Sequence, residues 1–149
     1  MRANHVWNMF DFAADARDQG GEPGMNHKGL ITFDRKVKKD SFYLYKANWS
    51  KEQFAHICSK RYVERADKVT KIKVYSTEKK ITLIVNGKTF QTQKRDDHVF
   101  TFKGPMADVL KVEAVCGKHK DTATFKKVAK MPEKYILPKK KNKQKSNWV

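Results

Sequence analysis

Two different periods of apolar residues run along this chain. Beyond residue 50 and up to about 129, apolar positions recur at every second residue, the spacing of a half-buried strand. Ile72 and Val74 share a face within 71–75, and Ile81, Leu83 and Val85 do so within 81–85. Leu110, Val112, Ala114 and Cys116 repeat the pattern in 109–116. Further strands are predicted over 54–59, 88–94, 98–103 and 121–127. Asn86-Gly87 stands between two of these runs, and a type I′ hairpin turn favours that pair because both positions take positive φ. About seven short strands with turns every 8–12 residues predict an immunoglobulin-like, Greek-key β-sandwich over 50–129. Alternation turns Phe90, Phe100, Phe102 and Phe125 inward.

Residues 1–49 follow another pattern. Val6-Trp7-Asn8-Met9-Phe10-Asp11-Phe12 is an aromatic-rich apolar run. Asn8 and Asp11 within it are costly to bury without partners, so a strand ending at a polar, aromatic-lined pocket is expected. Gln19-Gly20-Gly21-Glu22-Pro23-Gly24 reads as a loop, being rich in turn residues. Asp15 and Asp18 are expected at loop or cap positions. Leu30-Ile31-Thr32-Phe33 reads as a short strand. A helix is predicted over 36–48, with Phe42, Tyr45 and Trp49 at i, i+3 and i+7, and Leu44 and Ala47 widening that face. Lys36, Lys38 and Lys39 would crowd its start, where the macrodipole disfavours cations; Asp34 and Asp40 offset this in part. Strand, loop and helix in this order make one β/α unit of a barrel, whose sites lie at the C-terminal strand ends. Residues 130–149, with Pro132, Pro138 and the basic block 139–145, read as a flexible, solvated tail.

The 149 residues suffice for one domain with flanking pieces, whereas a complete (β/α)8 barrel needs about 250. No apolar run approaches the roughly 20 residues that span a bilayer, and no signal-peptide pattern opens the chain. The formal charge is +17, with 33 Lys and Arg against 16 acids, a balance that raises nucleic acid as a partner. Lysine dominates it, however, and bidentate phosphate contacts favour arginine, so nucleic-acid binding ranks low. Alternation puts Cys58 on the face opposite Ile57, away from Cys116, which predicts two free thiols and a reducing, cytoplasmic setting, with a periplasmic or secreted parent enzyme as the alternative. His5, His27, His56, His98 and His119 are scattered without zinc-ligand spacing. No phosphate loop or nucleophile elbow is present. No metal and no cofactor is called for.

The run WNMFDF, followed by NHKGLITFDRKVKKDSFYLYKANW, resembles the end of the catalytic barrel in β-galactosidases of glycoside hydrolase family 2. The resemblance continues to about residue 137, through the immunoglobulin-like domain that follows the barrel in that family. It implies a C-terminal fragment of a larger bacterial enzyme: 1–49 as a remnant (the last β/α unit) of a TIM barrel, 50–129 as the sandwich, and 130–149 as the tail. It also implies that Trp7 forms part of the floor of the sugar site and that Asn26 and Lys28 lie on its wall. In relatives that cleave glucuronides an Asn-x-Lys pair holds the sugar carboxylate, but the same string occurs in the galactosidase branch. Retaining glycosidases use two carboxylates about 5–5.5 Å apart, and in the resembling family both are glutamates from earlier strands. Asp11 is therefore expected to brace the strand end rather than to catalyse.

The expected function is that of a fragment of a retaining β-galactosidase, inactive alone, with the rest of the barrel and a β-galactoside as partners. The alternatives are a fragment of a β-glucuronidase or other family 2 β-glycosidase, a non-catalytic packing or carbohydrate-binding module, and, last, a basic nucleic-acid-binding protein. Arg2 and Asn4 depart from the family, where an aromatic and a small residue are expected, and Met1 would fit the start of a truncated gene.

Overall fold

The structure is a computed structural model that describes residues 5–19 and 22–136. The described residues divide into two compact units, one holding those up to 42 together with residue 136, the other residues 43–135. The division falls inside the helix, seven residues before the boundary expected at 49. Arg2, Asn4 and the basic block 139–145 lie outside the described residues.

The larger unit is an immunoglobulin-like β-sandwich. Its strands are β3 (Ala55–Ile57), β4 (Glu64–Arg65), β5 (Val69–Ser76), β6 (Lys80–Val85), β7 (Lys88–Lys94), β8 (Val99–Pro105), β9 (Val109–Cys116) and β10 (His119–Lys127). One sheet has the order β4-β10-β9-β6-β7 and the other β3-β5-β8, so the hairpins β6–β7 and β9–β10 stay within one sheet while β5 to β6, β7 to β8 and β8 to β9 cross between sheets, in Greek-key fashion. The strand missed by alternation is β4, two residues that pair in parallel with the end of β10. The hairpin turn carries Asn86 at φ 49° and Gly87 at φ 79°, as a type I′ turn requires.

Ile57, Ile72, Val74, Ile81, Leu83, Phe100, Phe102, Leu110, Val112, Ala114, Cys116 and Phe125 form the buried centre. Burying each large apolar side chain here contributes roughly 1.5–3 kcal/mol. Phe90 turns inward as alternation expects, but at an open edge of the sandwich, where it is 44% exposed. It lies on the edge strand β7 after a register shift at Leu83/Ile84, and its ring covers Gly104, where a Cβ would lie 2.9 Å from it. Asp121 ties the two sheets by accepting the Ile57 N–H at 2.7 Å and pairing with Lys60. Cys58 and Cys116 are both buried and form no disulfide. Cys58 faces away from the main core, in a second cluster with Phe54, Tyr75 and Ala47.

That second cluster corrects the predicted helix. Helix α1 spans Asp40–Trp49, and the face it lays on the sandwich is Tyr43, Leu44 and Ala47. Of the face expected inward, Leu44 and Ala47 pack there and Phe42 and Tyr45 are half-buried, whereas Trp49 is 64% exposed and rests against Tyr45 at 4.8 Å. The tail expected from residue 130 is fastened as far as Tyr135, which ends a short 3-10 turn, Glu133–Tyr135. The Tyr135 hydroxyl accepts the Val63 N–H and donates to the Arg61 carbonyl, both at 3.2 Å.

The smaller unit departs further from expectation. The segment read as a loop closes a two-stranded ribbon of β1 (Phe12–Gln19) and β2 (Glu22–Asn26), so Asp15 and Asp18 are strand residues. Pro23 and Gly24 are tolerated in β2 because a ribbon is all edge and its register is broken around Asp18, with Gly24 at φ 74°. The strand predicted at 30–33 shrinks to single bridges, Phe10 to Ile31 in parallel and Ile31 to Lys38 antiparallel. Thr32 then donates to Asp34 at 2.6 Å and accepts the Val37 N–H at 3.1 Å, closing a turn. Helix cannot start at 36 because residues 37–39 are extended: Lys39 N–H donates to the Leu30 carbonyl at 2.8 Å.

Candidate functional site

Asp11 is the centre of the smaller unit. It is only 4% exposed, and it is held from three sides. The Gly29 N–H donates to its Oδ1 at 2.9 Å, the Lys39 ammonium donates to the same oxygen at 2.6 Å, and His27 Nδ1 lies 3.4 Å from Oδ2. Burial alone pushes the Asp11 carboxyl up, but the Lys39 and His27 hydrogen bonds, the Lys39 charge and the Gly29 amide together hold it below its ordinary value. The group is thus a fixed anion, a poor proton donor and a firm brace.

The brace needs a close approach that only glycine permits. A Cβ at Gly29 would lie 2.1 Å from both the Asp11 nitrogen and the Phe10 carbonyl carbon. Backbone bonds complete the contact: Leu30 N–H to the Asn8 carbonyl at 3.0 Å, Ile31 N–H to Met9 at 2.9 Å, and Asp11 N–H to Ile31 at 2.9 Å. His27 is clamped as well, its N–H donating to Gln19 Oε1 at 2.7 Å and its Nε2 lying 3.0 Å from Glu22. Lys39 also donates to the His27 carbonyl at 2.9 Å.

This clamp positions the segment that carries Asn26 and Lys28. Asn26 is buried, and its Oδ1 accepts the Lys28 N–H at 3.0 Å. The Lys28 ammonium is exposed and has no ion pair among the described residues. Trp7 is 71% exposed and meets Phe12 edge-on at 6.5 Å. The peptide between Trp7 and Asn8 is cis. An open cavity of about 350 Å³ lies against Asn8, Met9, Phe10, Asp11, Phe12, Phe33 and Arg35. The Arg35 guanidinium covers the Phe10 ring at 4.5 Å.

The structure thus brings Asn26, Lys28 and Asp11 into one hydrogen-bonded segment. Trp7 is linked to it through residues 8–11 and through its edge-on contact with Phe12. Sequence reasoning passed over His27 and Lys39, which make the clamp. A signal for Lys39 was present: a lysine at an unfavourable helix start is better explained by a carboxylate elsewhere. Chemically, the surface offers an indole face and an ammonium group, with the Asn26 amide buried beside Lys28.

No family model matches the chain. A β-glucuronidase of Bacteroides fragilis is 46% identical over 94 residues, covering 62% of this chain and 14% of that protein. The crystal structure of an FMN-binding β-glucuronidase from Facaelibacterium prausnitzii L2-6 matches with a TM-score of 0.85 and 45% identity, over 90% of this chain and 21% of that one. Another crystal structure from Bacteroides fragilis, provisionally named a β-galactosidase, matches with a TM-score of 0.74 and 36% identity, over 81% and 19%. The chain therefore spans about a seventh to a fifth of the proteins it resembles. These relatives support a C-terminal fragment of a β-glycosidase of the glycoside hydrolase family 2 type.

Proposed function

We propose that this chain is the C-terminal part of a retaining family 2 β-glycosidase that removes terminal β-D-glucuronides. Trp7, Asn26 and Lys28 would line its sugar site. The observation that carries this reading is Lys28: a solvent-facing ammonium without an ion pair, two residues from Asn26, on a segment clamped to a buried carboxylate. A free cation beside an amide donor suits a uronic-acid carboxylate, because ammonium and amide N–H groups are donors to carboxylate oxygen. The two relatives of highest identity given above are both β-glucuronidases, which favours this substrate over the galactoside expected from sequence.

In this reading the chain binds and orients, and it does not cut. The nucleophile and the acid/base belong to barrel strands that precede these residues. Trp7 offers an indole face on which sugar C–H groups stack. The exposed apolar side chains Met9 and Phe33 would be covered by the rest of the barrel. The isolated chain is expected to be inactive.

A galactoside-cleaving parent is the second reading, favoured by the similarity to the provisionally named β-galactosidase. The two are separated in a full-length enzyme containing this segment. Lys28→Gln should lower kcat/KM on an aryl β-D-glucuronide by about 100-fold, roughly the 3 kcal/mol of a charged hydrogen bond, and leave an aryl β-D-galactoside unaffected. Equal loss on both substrates, or no loss on the glucuronide, would reject the glucuronide reading.

A further inference from the structure

The outer face of the three-stranded sheet carries a cationic row that the proposed sugar site does not use. In the β5–β8 pairing Lys71 stands directly opposite Lys103, and Lys73 follows two residues along the same face, opposite Thr101. Like charges set directly opposite across strands destabilise a sheet, because their Cβ atoms are only about 4.5–5.5 Å apart. Sheets usually relieve such a pair with a carboxylate. Here none of the three ammonium groups is ion-paired among the described residues, although the chain does pair other lysines, such as Lys60 with Asp121 and Lys46 with Glu52.

From this uncompensated row we infer that the β5–β8 face is a docking surface for an acidic polysaccharide, a chain of uronic-acid residues. The choice of a carboxylated sugar polymer rests on the β-glucuronidase reading. Three features of the face fit it. The cations are lysines, which act as point charges toward single carboxylates, whereas phosphate recognition favours the arginine fork. The row ends in the apolar pair Val69 and Pro105, opposite each other and exposed, which offers sugar rings a flat surface to lie on. The face is also rigid, since the other side of the same strands is the sandwich core through Ile72, Val74, Phe100 and Phe102. Such a surface would hold an acidic chain on the enzyme while its end is processed elsewhere.

The test uses the 149-residue chain and a defined polyglucuronate oligosaccharide, with binding followed by titration calorimetry and amide chemical shifts at low and moderate salt. Shift changes should centre on residues 69–73 and 101–105, and affinity should fall as salt rises. The double variant Lys71→Gln/Lys103→Gln should bind roughly five- to tenfold more weakly and melt at the same temperature or slightly higher, because the repulsion is gone. A purely structural role would lower the melting temperature instead. Lys111→Gln/Lys126→Gln removes the same charge from exposed positions on the other sheet and should leave binding unchanged. Equal loss in both double variants, tighter binding to a duplex DNA than to the polyuronate, or no binding at all would overturn the inference. Failure of the glucuronide reading shows separately, as a full-length enzyme that ignores aryl glucuronides whatever this face binds.

Discussion

The two units of this protein are held by opposite means. The sandwich is organised around side chains with no charge: Phe100, Phe102 and Phe125 are almost fully buried between two sheets. The smaller unit is organised around a charge, with Asp11 gathering His27 and Gly29 from one later segment and Lys39 from another. An apolar core tolerates many sequences of similar volume. A buried carboxylate tolerates few, because each missing partner leaves a desolvated charge. The second arrangement fixes the polar side chains around one charge in particular directions, which is what a sugar site needs.

The largest expected effect belongs to the core. Phe100→Ala removes a fully buried ring and should cost about 3–5 kcal/mol of unfolding free energy, read from urea titration of the tryptophan or circular dichroism signal. Gly29→Ala comes next. Its methyl group would collide with backbone rather than with a movable side chain, so a loss of about 3 kcal/mol is expected. That loss should be confined to amides of residues 8–39 in hydrogen exchange, with sandwich amides unchanged. Uniform loss of protection would mean the units are not organised separately.

Asp11→Asn keeps the shape and removes the charge. About 2 kcal/mol is expected, less than for a fully buried pair because the Lys39 side chain is 21% exposed. The pH dependence has a defined sign. The Asp11 carboxyl is lowered in the folded state, so its contribution is present above the ordinary carboxyl value of about 3.9 and is lost as pH falls through the lower folded value. The Gly29 amide resonance should report that titration, and Asp11→Asn should abolish it. At the small end, Lys79→Ala breaks a fully exposed pair with Asp96 and should leave the melting temperature unchanged.

The same contrast explains what was legible in the sequence. Alternation found β5, β6, β8, β9 and β10 because one face of each is buried, and a period of two is a consequence of that burial; β7, exposed along its length, was legible from the Asn86-Gly87 turn before it. Alternation did not show how open the edge strand leaves Phe90, at a register shift, and it missed β4, too short to have a period. In the smaller unit no period exists to be read. Pro23 and Gly24 look like loop until the ribbon shows that every strand in it is an edge. Lys39 looks like helix start until Asp11 claims it. Asp11 could be marked as a brace because an acid in an apolar run needs partners, but their identity depends on contacts 16 to 28 residues away. Asn26 and Lys28 were legible only as a motif, and Trp7 only through its resemblance.

Hydrolysis kinetics on matched aryl β-D-glucuronide and aryl β-D-galactoside, for a full-length enzyme carrying this segment with and without Lys28→Gln, test the central claim most directly. The account predicts a preference for the glucuronide that collapses when the ammonium is removed. A preference for the galactoside, or a glucuronide preference that survives Lys28→Gln, would contradict it.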